Sequence, residues 1–301
     1  MEPPLSRFQL PYFRDPKELP APLPSVAEIR ASTDLIKGHD GWKKVVRIRE
    51  HFIVKYAASL SPTEGENLLF VEKHLVRIST PKLYAMWKDS NDGTFYIIME
   101  YLPGETLDSL WPKLTEPEKD SILSKLRHAL QQMRALPPPF ATIFGSVSGG
   151  HIMHHLFAMT DYPPNISGPF DNEHDFIMGL INKVRVDAKD NKSKRLEYLA
   201  GFYEKQLLPE FTKNEANHAS TFTHSDLQRK NILVRFGHDL QYIEISILDW
   251  EVAGWYPRYW EYVSAFFGFQ WDDWPEELAT ILDPWPSETA MMKMLYQTLW
   301  F

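Results

Sequence analysis

Apolar and polar residues alternate along two short stretches in the first third of the chain, and that alternation predicts strands. Val45-Val46-Arg47-Ile48 and Phe52-Ile53-Val54-Lys55-Tyr56, separated by a polar turn at Glu50-His51, read as a hairpin. Period two puts Lys55 on the side of Ile53; a lone lysine there is ordinarily an edge residue whose stem covers apolar surface. Ser61-Pro62-Thr63-Glu64 then has the form of a capping box with proline at the first helical position, predicting a helix through Leu68, Leu69, Phe70, Val71 and Leu75. In that assignment Glu64 is spent on the cap, and Glu66 is free to pair with Lys55. The competing box, Thr63-x-x-Glu66, would make Glu66 the cap instead. Residues 95–102 predict another strand, ended by Pro103-Gly104, where strands give way to helices. Unpaired backbone groups around Glu100 to Leu102 could bond a flat base edge, or simply close an edge strand.

Helical spacing dominates after residue 103. Thr115-Glu116-Pro117-Glu118 is a second capping box, followed by Ile122, Leu126, Leu130 and Met133 before Pro137-Pro138-Pro139. Phe176, Leu180, Ile181 and Val184 form one further apolar stripe, and Leu196, Leu199, Phe202, Tyr203 and Leu207 another; both are core-facing. Two apolar runs return at 232–234 and 242–248, joined through Gly237-His238-Asp239 as turn material, and predict a second hairpin. The domains expected are a proline-rich extended arm over 1–30, a strand-rich lobe over 31–102 and a mainly helical lobe over 103–301.

Composition narrows the classes. The chain has 301 residues, 44% of them hydrophobic, enough for a large core. Its net charge of -8 argues against a general affinity for nucleic acid or anionic membrane. With no cysteine, disulfides, thiolate metal sites and cysteine nucleophiles are excluded. No apolar run reaches membrane-spanning length and no leader pattern opens the sequence, so a cytoplasmic protein is expected. Pro3, Pro4, Pro11, Pro16, Pro20, Pro22 and Pro24 account for the extended arm.

The chemistry sits between the last helical stripe and the second hairpin. His224-Ser225-Asp226-Leu227-Gln228-Arg229-Lys230-Asn231 reads H-x-D-x-x-x-x-N, and the hairpin carries the chain on to Asp249. Phosphoryl transfer needs a carboxylate to orient the acceptor hydroxyl and oxygen ligands for magnesium, which prefers carboxylate and amide oxygens. Asp226 suits the first role; Asn231 and Asp249 suit the second. The plain alternative makes Asp226 a turn cap, Asn231 a loop residue and Asp249 a strand end. Gly38-His39-Asp40-Gly41 could lie over phosphates but lacks the G-x-G-x-x-G spacing, and an ordinary turn explains it equally. His151-x-x-His154-His155 is not taken as a metal site, because Gly149-Gly150 weakens a helix there and no acidic ligand lies close in sequence. The stretch from Trp250 to Glu277 is rich in tryptophan and carboxylates, which would suit a cationic acceptor or, equally, core packing.

Together these motifs resemble the aminoglycoside phosphotransferase and choline kinase group of the protein-kinase-like fold, and among them the fungal phosphotransferase enzyme family type. The resemblance runs from about residue 43 to 262 and includes Ile98-Met99-Glu100-Tyr101-Leu102-Pro103-Gly104, Gly168-Pro169-Phe170, Thr223-His224-Ser225-Asp226-Leu227 and Leu248-Asp249-Trp250-Glu251. It implies an α+β, bilobal fold with a small antiparallel sheet, one main helix beside it, and a larger helical lobe. It implies ATP as co-substrate with Mg2+, Lys55 on the phosphates with Glu66 as its ion-pair partner, Glu100 and Leu102 at the base, Asp226 as base, and Asn231 and Asp249 on the metal. The acceptor would be a hydroxyl of a small molecule, with cationic compounds included, and neither nucleic acid nor membrane is an expected partner. Ser225, Gln228 and Asp249-Trp250-Glu251 stand where protein kinases have arginine, lysine and Asp-Phe-Gly, which disfavours a polypeptide acceptor. The competing reading is a kinase-like nucleotide-binding module without turnover; intact Lys55, Asp226, Asn231 and Asp249 argue against it.

Overall fold

The computed structural model describes residues 9–38, 43–75, 77–139, 143–157, 163–213, 215–237, 243–268 and 273–300. The loop at 38–41, the 237–239 turn, and Trp271 and Asp272 of the aromatic stretch thus fall wholly or partly outside the described residues. The chain divides into two compact units, one of residues 6–105 with 233–251 and the other of residues 106–232 with 252–301.

The first unit is built on a six-stranded antiparallel sheet ordered β1-β5-β6-β4-β3-β2. Its strands are β1 (Tyr12–Phe13), β2 (Leu35–Lys37), β3 (Lys44–Ile48), β4 (Phe52–Ala57), β5 (Leu83–Lys88) and β6 (Phe95–Glu100). The predicted hairpin is β3 and β4, with Val46 opposite Val54 and Val45 opposite Lys55. Alternation sends Val46, Val54, Tyr96 and Ile98 to one face, where they bury Ile29 of helix α1 (Val26–Ala31). Lys55 points to the other face, beside Ile97 on β6. Helix α2 (Thr63–His74) packs there, and Gly65 permits the approach, because a Cβ at that position would come within 2.5 Å of the Met86 sulfur on β5. Strands β9 (Ile232–Phe236) and β10 (Ile243–Ile247) realise the second hairpin and share a three-stranded sheet with β7 (Glu105–Thr106).

Two sequence expectations change here. The arm over 1–30 is partly built in: Tyr12 and Phe13 pair with β5, and α1 buries Ile29 completely. Proline withholds donors, but the residues between prolines remain able to pair. The first unit also extends past 102 to Glu105 and takes in 233–251, because the second hairpin belongs to it.

The second unit is mainly helical: α3 (Leu107–Leu110), α4 (Glu116–Arg134), α5 (Pro164–Ser167), α6 (Glu173–Asp190), α7 (Lys194–Phe202), α8 (Leu208–Thr212), α9 (Trp260–Phe266), α10 (Trp274–Ile281) and α11 (Pro286–Trp300). Strands β8 (Ser220–Thr223) and β11 (Gly254–Pro257) pair antiparallel within it. The capping box before α4 forms, with the Thr115 N–H donating to Glu118 at 2.8 Å. Phe176, Leu180, Ile181 and Val184 of α6 are fully buried with Phe157, Trp260, Val263 and Leu295, and each such side chain contributes roughly 2 kcal/mol.

A buried ionic cluster ties this core together. His218 bonds Glu173 of α6 through Nδ1 at 2.9 Å and Glu288 of α11 through Nε2 at 3.3 Å. Burial alone would lower the imidazole pKa, but the two carboxylates outweigh it and raise it. Stabilisation from a raised histidine is complete below the unfolded value, about 6.5, and is lost as pH rises through the folded value. The melting temperature should therefore fall as pH increases above about 6.5. His218→Gln should flatten that slope, and an identical slope in the variant would exclude the cluster as its source.

Candidate active site

Two constellations carry chemistry, one in each unit. In the first, Lys55 lies on a central strand with only 7% of its surface exposed, so its ammonium needs counter-charges. It donates to Glu64 at 2.5 Å and to Asp249 at 2.7 Å. Burial would lower the lysine pKa, yet Glu64, Asp249 and Glu251 together hold it above its ordinary value. Burial, only partly offset by Lys55, pushes the Glu64 carboxyl up to about 7, with Asp249 and Glu251 adding like-charge repulsion. Burial acts in the same upward sense on Asp249, but Lys55 and its hydrogen bond prevail and keep that carboxylate well below the usual range.

The partner of Lys55 is thus Glu64, which corrects the pairing expected with Glu66. Neither predicted capping box forms at this helix: its N-cap is Pro62, with no side-chain cap bond, and the Ser61 hydroxyl accepts from the Thr63 N–H at 3.2 Å. Glu64, released from capping, turns to the lysine. Glu66 lies two positions on, about 200° around the helix, and so occupies a different face. Asn67, three positions from Glu64 and on its side, donates to the Trp250 carbonyl at 2.6 Å. Helix α2 therefore holds both the lysine and the turn that bears Asp249. Asp249 itself adopts φ 62°, an uncommon conformation for a residue with a Cβ.

Oxygen atoms of Glu64, Asp249 and Glu251 lie within 4.8 Å of one another. Lys55 meets the first two and Lys43 pairs with the third. A cluster of hard anionic oxygens with this excess of negative charge fits magnesium. Glu100 closes β6. Its N–H donates to the Lys82 carbonyl and the Tyr101 N–H to the His51 carbonyl, each at 2.9 Å, so Leu102 follows the last donor used by the sheet. Glu100 and Leu102 also border a cavity of about 470 Å³.

The second constellation is the loop after β8. The buried Glu261 carboxylate of α9 accepts from the His224 N–H at 2.7 Å and the Ser225 N–H at 3.0 Å. Trp260 Nε1 donates to Ser225 Oγ at 2.8 Å, and Ser225 takes φ 71°. This bend turns Asp226 outward from an otherwise buried loop, with 28% of its side chain exposed. Both carboxylate oxygens are then held. Gln228 Nε2 donates to Oδ1 at 2.5 Å, and Asn231 Nδ2 donates to Oδ2 at 2.8 Å and to the Asp226 carbonyl at 2.9 Å. The Asn231 side-chain nitrogen is thus committed to Asp226, which leaves acceptance to its amide oxygen. Arg229 packs beside Trp111 and Trp274 and pairs with Asp273, fixing the far side of the loop.

Sequence reading missed Glu64, Glu251, Gln228 and Glu261 as working parts. Gln228 and Glu251 each had a local signal, being two residues from Asp226 and from Asp249; Glu261 is tied to the loop across 36 residues of chain. The aromatic, acidic stretch also resolves differently from a cation-binding wall. Trp250, Trp255, Tyr259, Trp260 and Trp274 are buried in cores, while Glu251, Glu261 and Asp273 are engaged by Lys43, loop N–H groups and Arg229. Two of the three histidines set aside as ligands, His154 and His155, pack against each other with ring centroids 4.0 Å apart and planes tilted by 32°. Among the described residues no helix is long and apolar enough to cross a membrane.

Residues 32–291 match the model of the phosphotransferase enzyme family. No curated protein sequence matches the chain. Among solved structures it is similar to a thermostable mutant of the aminoglycoside phosphotransferase APH(4)-Ia in its apo form, at 14% identity over 88% of this chain and 83% of that one, with a TM-score of 0.60. It is also similar to APH(2")-IIa in a ternary complex with streptomycin and ATP, at 14% identity over 91% and 86% of the two chains, with a TM-score of 0.58. These likenesses show the fold, a mixed α+β arrangement of the protein-kinase-like kind.

Removing the lysine charge should expose how much the first constellation depends on it. Lys55→Met leaves the carboxylates uncompensated and should cost about 3 kcal/mol of stability at neutral pH, measured by urea unfolding. Added magnesium should restore part of the loss. Wild-type stability in the variant would show that the lysine is not the keystone of the cluster.

Proposed function

The chain belongs to the phosphotransferase enzyme family, and on that footing we propose that it is an ATP- and magnesium-dependent kinase. It moves the γ-phosphate of ATP to a hydroxyl of a small molecule, an amino alcohol, an aminoglycoside or a similar compound. The observation that carries this reading is the Asp226 carboxylate, partly exposed on a buried loop and gripped through both oxygens by the amides of Gln228 and Asn231. Such a carboxylate keeps a fixed orientation. It accepts a hydrogen bond from the acceptor hydroxyl, aims its oxygen at phosphorus, and takes the proton as the new bond forms.

Lys55 supplies a cation for the ATP phosphates, and Glu64 keeps that ammonium charged and in place. The backbone at Glu100 and Leu102 meets the base. Asp249 and Asn231 provide oxygen ligands for magnesium, which supplies positive charge against the phosphate oxygens when bound. Ser225 and Gln228 support a small acceptor over a polypeptide. Serine at the first position is committed to Trp260, and glutamine at the second to the base itself.

Asp226→Asn should lower turnover by roughly a hundredfold or more while leaving the melting temperature unchanged. ADP release with an acceptor that the wild type phosphorylates is the readout. An unaltered rate would remove Asp226 from the role of base.

A further inference from the structure

Helices α6 and α7 of the second unit meet around a cavity of about 600 Å³ whose charged lining is mostly basic. Arg185 and Lys189 line it from α6, Lys192 from the turn that follows, and Lys194 from the first position of α7. Glu197 is the one carboxylate among the described residues of the lining. Arg185 is already engaged, since it donates to Asn182 Oδ1 at 3.0 Å and pairs with Glu204. Lys189, Lys192 and Lys194 form no ion pair among the described residues, so three ammonium groups share the cavity with a single carboxylate. In a chain of net charge -8 such a local excess of positive charge runs against the overall balance.

The backbone shapes this cavity at two points. At the end of α6 the Lys192 N–H donates to the Lys189 carbonyl at 3.2 Å and the Ser193 N–H to the Ala188 carbonyl at 2.8 Å. Lys192 takes φ 49° in that turn, the left-handed conformation that glycine adopts at helix ends without steric cost. A lysine there gives up stability and gains an ammonium on the cavity lining. On α7, a Cβ at Gly201 would meet nothing within 4 Å, so the cavity extends to the helix backbone. Ser193, also in the lining, accepts from the Leu196 N–H at 3.3 Å and keeps its own O–H to donate.

We propose that this cavity binds a soluble anion carrying two or more phosphate groups, at a site built from none of the residues assigned to phosphotransfer. Its volume is that of a small-molecule site and exceeds what one phosphate fills. A phosphate monoester carries close to two negative charges near neutral pH, and lysine ammonium groups meet it as point charges. The overall negative charge of the chain disfavours a long polyanion, whose further phosphates would be repelled beyond the cavity.

The test uses the full chain and inorganic tripolyphosphate, followed by isothermal titration calorimetry at about 0.15 M salt, where diffuse surface attraction is screened. Lys192→Gly should weaken binding about tenfold, as for one lost charge-assisted hydrogen bond, and should raise the melting temperature of the ligand-free protein by relieving the backbone. Gly201→Leu should weaken binding at least as much by filling the cavity with the charge unchanged. Lys55→Met, which removes the other phosphate-binding cation, should retain the wild-type affinity. No binding by the wild type, equal binding by the wild type and both cavity variants, or loss of binding in Lys55→Met alone would overturn the site. Tighter binding of vesicles containing a phosphoinositide bisphosphate than of tripolyphosphate would assign the cavity to a membrane surface and overturn the soluble ligand.

Discussion

A single buried ammonium group organises the first unit. Lys55 sits in the middle of a sheet, where an unpaired charge would cost several kcal/mol, so the surrounding structure has to bring anions to it. Glu64 comes from the first turn of α2, and that helix reaches the strands closely because Gly65 has no side chain to hold it off Met86. Asp249 comes from the end of the second hairpin, on a backbone bent to φ 62° and fastened to α2 through Asn67. Strand order, helix approach and backbone bend all serve one electrostatic demand. Under the proposed function, the same surplus of carboxylate would receive a divalent cation and a phosphate.

The second unit solves a different problem, the orientation of an exposed carboxylate. It does so with hydrogen bonds from the neutral amides of Gln228 and Asn231. Gln228 and Asn231 fix Asp226 without cancelling its charge, whereas the Lys230 ammonium stays 4.0 Å away. Behind the loop, Glu261 occupies two backbone donors that the bend at Ser225 would otherwise leave buried and unbonded. Burial pushes the Glu261 carboxyl up, and His224, Arg134 and the two N–H groups pull against that rise.

Periodicity made most of the elements legible. The β3–β4 hairpin, α2, β6, α4, α6 and the β9–β10 hairpin all follow from spacing and turn residues, and the H-x-D-x-x-x-x-N motif located the loop that bears Asp226. What escaped was whatever depended on contacts distant in sequence. Glu64 looked like a cap because capping is a local rule, yet a buried lysine outbids a cap for a carboxylate. Tyr12 and Phe13 gave too short a pattern to announce a strand, and only the open edge of β5 explains it. The tryptophans after Asp249 were ambiguous for the same reason: composition shows that aromatic rings are present, and packing alone shows what they touch.

The first unit is discontinuous in sequence, and this has a consequence for biosynthesis. Residues 6–105 leave the ribosome long before residues 233–251, which complete the same unit. Throughout that interval the nascent sheet contains Lys55 with Glu64 but without Asp249, and α2 lacks the Trp250 carbonyl that Asn67 grips. The early segment must therefore wait, incompletely neutralised and incompletely packed, while the intervening helices are made. Domains generally fold as units during synthesis, so closure of the lysine site becomes a late event in the life of the nascent chain. A polypeptide released before residue 249 lacks the carboxylate that completes the site, which couples assembly of the Lys55 cluster to near-completion of translation.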